Sequence, residues 1–258
     1  MSKLNYSLRQ IRFLDECSEG KSLIHRINPI VKILVTLIYI ICVVSLEGYE
    51  VNRLIPFFLY PVIIISLSDI PIAPLLKRTV ISLPFILGIG FLNLLIERNL
   101  HGLLIFLSLL IKSILTVLSS LLLIATTGMD NIAKGLLALK VPKIFVLQLM
   151  MTYKYILIFT EELITSVNAY ELRSSEGGIS LKFAGNILGR FFLRVYDRAK
   201  NIYNSMILRG FNGEFNIGKK ISFANKDIIF LILWIIYFVL IMFFDVVKFF
   251  ELILGVVT

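Results

Sequence analysis

The chain has 258 residues, is 58% hydrophobic, and carries a formal net charge of +9, with a mean hydropathy of +0.90. A water-soluble domain is about half apolar, so this composition argues against one. The apolar excess falls in long, nearly charge-free runs, the pattern of membrane helices. Two cysteines, Cys17 and Cys42, have no close spacing and suggest neither a disulfide framework nor a zinc site. Basic excess on such a chain reads as cytoplasmic loops and anionic lipid rather than nucleic acid. The basic and aromatic mixture from Arg190 to Tyr203 is not taken as a nucleic-acid patch.

In chain order, residues 1–29 are polar and lack the apolar core of a cleaved signal peptide. Five stretches are expected to span the bilayer, whose core needs about 20 apolar residues. These are Ile30–Leu46, Leu54–Ser68 (broken by Pro56 and Pro61), Thr79–Ile96 (with Pro84, Gly88 and Gly90 inside), Leu103–Thr127 and Ile228–Val247. Lys3, Arg9, Arg12, Lys21, Arg26, Lys77 and Arg78, with fourteen basic residues in 128–227, fall on one side. Arg53, Arg98 and Lys248 fall on the other. Positive charge stays inside. The N-terminus and residues 128–227 are therefore expected in the cytoplasm, and the C-terminus outside. The fold expected is all-α: a polytopic protein of about five transmembrane helices plus two long cytoplasmic helices. The divisions are 1–29, 30–127, 128–227 and 228–258.

Within the cytoplasmic stretch, Ile144–Ile158 is apolar but interrupted by Gln148 and Lys154, and is expected to lie against the membrane face. The helical pattern runs on to Arg173 and stops at Ser174, Ser175 and the pair Gly177 and Gly178. A second helix is expected from Leu181 to Arg209. Ala184, Leu188, Phe191, Val195, Ala199, Ile202 and Met206 form its apolar stripe. Gly185 and Gly189 are spaced to admit a close helix neighbour. Both helices end on an arginine just before a break: Leu172-Arg173-Ser174 and Leu208-Arg209-Gly210. A cation at a helix C-terminus is favoured by the macrodipole alone. Two such ends also present guanidinium forks suited to carboxylates on a partner.

At these residues the sequence resembles the transmembrane (T) component of energy-coupling-factor (ECF) ABC transporters, the CbiQ/EcfT family. The family's run R-A-x-x-x-x-x-A-M-x-x-R-G-F-x-G is matched from Arg198-Ala199 through Ser205-Met206 to Arg209-Gly210-Phe211-Asn212-Gly213, with Ser205 for the usual alanine. Ile27-Asn28-Pro29-Ile30-Val31-Lys32 and Tyr153-Lys154-Tyr155 followed by Glu161-Glu162 extend the resemblance. Arg209 through Phe215 and the early Phe13-Leu14-Asp15 are similar to the cobalt branch, CbiQ. The resemblance implies a non-catalytic scaffold. Its two coupling helices would cross and seat on two cytoplasmic ABC ATPase subunits, which bind ATP and magnesium. Its spans would hold a membrane S component, CbiM-like if the cargo is cobalt, within the bilayer of the cell inner membrane. Arg173 and Arg209, with Leu172, Ser174, Leu208 and Gly210, would carry the ATPase contacts. Nickel or a vitamin is the alternative cargo.

Other classes are weaker. Gly213 to Lys220 nearly fits a P-loop but has Lys220 where Ser or Thr should hold magnesium. His25 and His101 lack neighbours at ligand spacing, so no metal site is expected. A membrane transferase needs clustered acid–base groups, and only Glu161 and Glu162 adjoin, pointing apart on a helix. A secondary carrier needs ionisable groups in mid-membrane. Lys112 alone fits that, and snorkelling or pairing with a backbone carbonyl explains it more simply.

Overall fold

The computed structural model describes Phe13, residues 15–46, 51–96, 100–172, 181–213 and 223–243. These residues are helical without a strand. In order come α1 (Pro29–Ser45), a 3-10 segment (Val51–Phe58), α2 (Leu59–Ser68), α3 (Ile72–Ile96), α4 (Leu100–Thr127), α5 (Met129–Ala138), α6 (Lys143–Glu171), α7 (Leu181–Leu208) and α8 (Asn225–Phe243). All five expected spans coincide with helices. The short α5 was not anticipated.

The chain divides into two compact units. One holds Asp15–Gly135 and Ile221–Thr258; the other holds Met1–Leu14 and Leu136–Lys220. The second is thus largely an insertion into the first.

In the first unit, α1 packs on α4 and α8, and α3 on α4. Asn28 caps α1, its side chain accepting from the Ile30 amide at 2.9 Å, and Pro29 supplies a pre-set first helical residue. The centre is aromatic. Tyr39 stacks on Tyr60 at 4.5 Å, Trp234 meets Tyr60 edge-on at 4.8 Å, and Phe238 lies 5.6 Å from both Tyr39 and Trp234. Such pairs add about 0.5–1.5 kcal/mol beyond area burial. Gly90 lets α3 approach α4 closely, because a Cβ there would collide with the Phe106 ring.

The prolines of the second span have a visible consequence. The chain runs as a 3-10 segment through Pro56, then turns α-helical at Leu59. Pro61 has no N–H for the Phe57 carbonyl four residues back. The Tyr39 hydroxyl donates to that carbonyl instead, at 3.1 Å, and the Tyr237 hydroxyl donates to the Pro56 carbonyl at 2.8 Å. A neighbouring helix thus satisfies the carbonyl that Pro61 frees, which a bilayer demands. Tyr39→Phe should destabilise the protein by about 1–3 kcal/mol, the cost of a buried unpaired carbonyl. In a Pro61→Ala background, whose new N–H can serve Phe57, the loss should shrink. Thermal unfolding of both single variants and the double variant in micelles checks this.

The surface of this unit is inverted relative to a soluble domain. Ile41, Val44, Ile81, Phe85, Ile229, Leu233 and Phe243 are exposed, while Lys32, Thr36, Thr126 and Asp227 are buried. Among the described residues four helical stretches are long and apolar enough to cross a membrane: Val51–Ser68, Gly102–Thr127, Lys143–Tyr170 and Asn225–Phe243; Pro29–Ser45 is a shorter apolar helix. Lys143–Tyr170 departs from expectation. The helix read for Ile144–Ile158 continues without a break to residue 170 and contains a window apolar enough to cross, so α6 has the length and composition of a span despite Gln148 and Lys154.

In the inserted unit, α5 ends in a turn that puts Lys140 at φ 64°, with Val141 N–H on the Leu136 carbonyl and Lys140 N–H on that of Leu137. Pro142 then starts α6. α6 touches α7 over a short stretch: the Phe159 ring meets Phe191 edge-on at 6.2 Å, and Glu162 accepts from Arg194 at 3.3 Å and Arg198 at 3.4 Å.

Candidate functional site

The C-terminus of α7 is a hydrogen-bonded stop. Phe211 N–H donates to the Met206 carbonyl at 3.0 Å and Gly210 N–H to that of Ile207 at 2.9 Å. Gly210 sits at φ 82°, open to glycine and strained for other residues. Met206 and Phe211 are half-buried at the two ends of this motif, where an apolar contact commonly accompanies it. The local structure therefore accounts for Gly210 and Phe211. It does not account for Leu208, which is 88% exposed, or for the exposed Arg209 between them. A large apolar side chain beside a free guanidinium on a rigid helix end is a ready contact for a partner's groove and carboxylate.

α6 ends alike. Leu172 is its C-cap and is 80% exposed. Arg173 and Ser174 lie outside the described residues, as does most of the near P-loop. The Glu162–Arg198 pair stands ten residues before Leu172 on one helix and ten before Leu208 on the other. Each arm thus runs about 15 Å past the contact. The sequence singled out Glu162 only for its neighbour Glu161; the matching offset was there to be read.

On α7, Phe191, Val195, Ile202 and Met206 of the expected stripe are half-buried, while Leu188 and Ala199 are exposed. Beside that stripe runs a second, wholly exposed one: Gly185, Gly189, Phe192, Tyr196, Ala199, Tyr203 and Ile207. Its spacings of three and four make one continuous face. Nothing lies within 4 Å of where a Cβ would stand on Gly185 or Gly189. A second helix could lie in this groove without displacing any described atom.

The first unit holds a buried polar network. Asp227 accepts from its own Ala224 N–H at 2.8 Å and from the Asn28 N–H at 2.9 Å. Lys32 donates to the Thr126 carbonyl at 2.8 Å, at the end of α4, and Thr36 shares a hydrogen bond with Tyr60 at 3.0 Å. A cavity of about 10 Å³ borders Lys32, Thr36, Tyr60 and Thr126. It has room for about one water, too little for a vitamin or a chelated metal. Lys112 donates to the Leu46 carbonyl, capping the end of α1; this is the backbone pairing that sequence favoured over a transport role. Among the described residues no three metal-ligating side chains gather. Sequence reasoning passed over Asp227, whose signal was an acid three residues into a helix start.

His25, ahead of α1, receives the Ser22 hydroxyl at Nδ1 (2.7 Å) and donates from Nε2 to the Cys17 carbonyl (2.8 Å). One neutral tautomer satisfies both bonds. Burial lowers its pKa, reinforced by the charge of Lys32 and opposed by bonds to the Cys17 and Ala125 carbonyls and by Asp69. Burial likewise pushes the Cys17 thiol up. Because the unfolded chain binds that proton more readily, His25 contributes stability above about pH 6.5, and the contribution is lost as pH falls toward the folded value. The melting temperature should therefore drop between pH 7.5 and 5.5, with a flatter dependence in His25→Gln; equal slopes would contradict this role.

A helical unit with an apolar outer surface, in a chain with four described stretches long and apolar enough to cross a bilayer, is that of a multi-pass membrane protein. The chain matches the family model CbiQ, "Cobalt transport protein", over residues 20–220. It belongs to the CbiQ family. It is 25% identical to an uncharacterized protein of Methanocaldococcus jannaschii, covering 90% of this chain and 86% of the relative. It is 29% identical to the nickel permease LarQ of Lactiplantibacillus plantarum over 91 residues, 35% of this chain and 33% of the relative.

Proposed function

We propose that this protein is the T component of an ECF-type importer for a divalent transition-metal ion, cobalt or nickel. It couples ATP hydrolysis by two partner ATPases to uptake through a membrane S component. The observation that carries this is the exposed Leu208–Arg209 pair held at the rigid end of α7. In this reading the leucine enters an ATPase groove and the guanidinium meets a carboxylate there. Arg173 does the same at the end of α6. The open face from Gly185 to Ile207 receives a helix of the S component.

The protein does no chemistry. Nucleotide and magnesium are held by the ATPases, and the cargo by the S component. Family description and the LarQ relative support cobalt and nickel over a vitamin. The distribution of basic residues supports a cytoplasmic N-terminus and cytoplasmic coupling helices, with the spans in the cell membrane. α6 then lies along the membrane rather than crossing it, since a crossing would put Arg190 to Arg209 outside.

The test is affinity purification of the tagged protein from its native membrane, followed by uptake of radiolabelled cobalt and nickel into vesicles. ATPases and a small membrane protein should co-purify, and uptake should need ATP inside. Uptake by the isolated chain, or no ATPase partner, would contradict the reading.

A further inference from the structure

We infer that Glu162 is a positioning residue that holds α7 against α6 at either of two registers, one helical turn apart, by gripping one or the other of two overlapping arginine pairs. This rests on the coupling role proposed above. Both helices lie within the inserted unit, and their contact has two parts. On α6, Phe159 and Glu162 stand one turn apart. On α7, Phe191 meets the Phe159 ring edge-on at 6.2 Å. One turn further along, Arg194 reaches one Glu162 oxygen at 3.3 Å, and Arg198 takes the other at 3.4 Å.

α7 repeats what it offers. Ile187 and Arg190, Phe191 and Arg194, and Val195 and Arg198 are copies of one apolar-x-x-Arg unit, recurring every fourth residue. The apolar members are half-buried and the arginines exposed. Residues four apart form a continuous ridge on a helix. A step of one unit along this ridge moves α7 by about 6 Å. It brings Ile187 to Phe159 and sets Glu162 between Arg190 and Arg194, so the apolar contact and both charge pairs are replaced in kind. A step the other way sets Glu162 between Arg198 and Ile202 and loses a pair. The sequence therefore provides one alternative register. Exposed ion pairs are individually weak, so they can break and re-form, while the ring contact with Phe191 favours the observed register. In the second register the arm from the crossing to Leu208 grows by one turn. A pull on the tip is thereby turned into a discrete step, as in other one-turn ratchets between packed helices.

The test is spin-label distance measurement on the complete transporter in vesicles. Labels are attached at Thr165→Cys and Asn204→Cys, both exposed, with Cys17 and Cys42 replaced. The parent protein should give two distances several ångströms apart, and ATP with vanadate should change their ratio about fivefold or more. Arg190→Gln should deplete the shifted register and Arg198→Gln should enrich it, because each removes an arginine from one pair only. Arg190→Lys should restore what Arg190→Gln loses. Metal taken up per ATP hydrolysed should fall by about fivefold in Arg190→Gln, with ATPase co-purification unchanged. A merely structural role would move both glutamine variants the same way; that result would overturn the inference, as would a single distance in every state. Absence of ATPases from the parent preparation would instead overturn the coupling role, and the opposite shifts of the two variants, which need no ATPase, would still decide the registers.

Discussion

Arg209→Glu is expected to abolish metal uptake while leaving the protein inserted and stable. The side chain is exposed at a helix end whose fold depends on Gly210 and on backbone hydrogen bonds. Exposed substitutions of this kind move stability by no more than about 0.5 kcal/mol. Reversing a charge opposite a partner carboxylate removes a charge-assisted pair and adds repulsion, a loss of about 2–5 kcal/mol in affinity, tenfold or more. Leu208→Asp should act in the same way. Quantifying co-purified ATPase and uptake together checks both. Full uptake in an Arg173→Glu, Arg209→Glu double variant would remove the role assigned to these residues.

The second large effect is on stability. Phe238 is 1% exposed and is ringed by Tyr39, Phe57, Tyr60, Trp234 and Tyr237. Truncation to alanine opens a cavity that rigid aromatic neighbours cannot collapse. A cost of about 3–5 kcal/mol follows from large-to-small core changes. Inside a bilayer, packing contacts carry most of helix association, so the loss should separate α8 from α1 early in unfolding. Thermal melting in micelles, with Leu240→Ala on the exposed face of α8 as the comparison, should show a large drop for the first variant and little for the second.

Much of the fold was legible because membrane helices announce themselves by length and apolarity. α1, α4 and α8 follow directly, and the stops of α6 and α7 came from polar and glycine signals. The motif Arg209-Gly210-Phe211 was legible as a resemblance, and the structure divides it physically: Gly210 and Phe211 make the turn, and Leu208 and Arg209 remain outward. α5 was missed because it is short, at 10 residues, and follows α4 almost directly. α6 has the length and composition of a span, against which the sequence sets Gln148, Lys154 and the basic stretch that a crossing would carry outside. The local role of Asp227 at a helix start was legible, but its bond to the Asn28 amide was not, since the two are close only in three dimensions. The same holds for Tyr39, whose hydroxyl answers a carbonyl that Pro61 frees elsewhere in the chain. Arg173 and Ser174 fall outside the described residues and keep the role that resemblance gives them as a proposal.

The central claim is that the tip of α7 faces the cytoplasm and is covered by an ATPase. A single cysteine at Leu208, in a background with Cys17 and Cys42 replaced, reads this with a membrane-impermeant maleimide. The account predicts labelling in inside-out vesicles, protection once the ATPases are bound, and none in intact cells. Labelling from outside intact cells would contradict it.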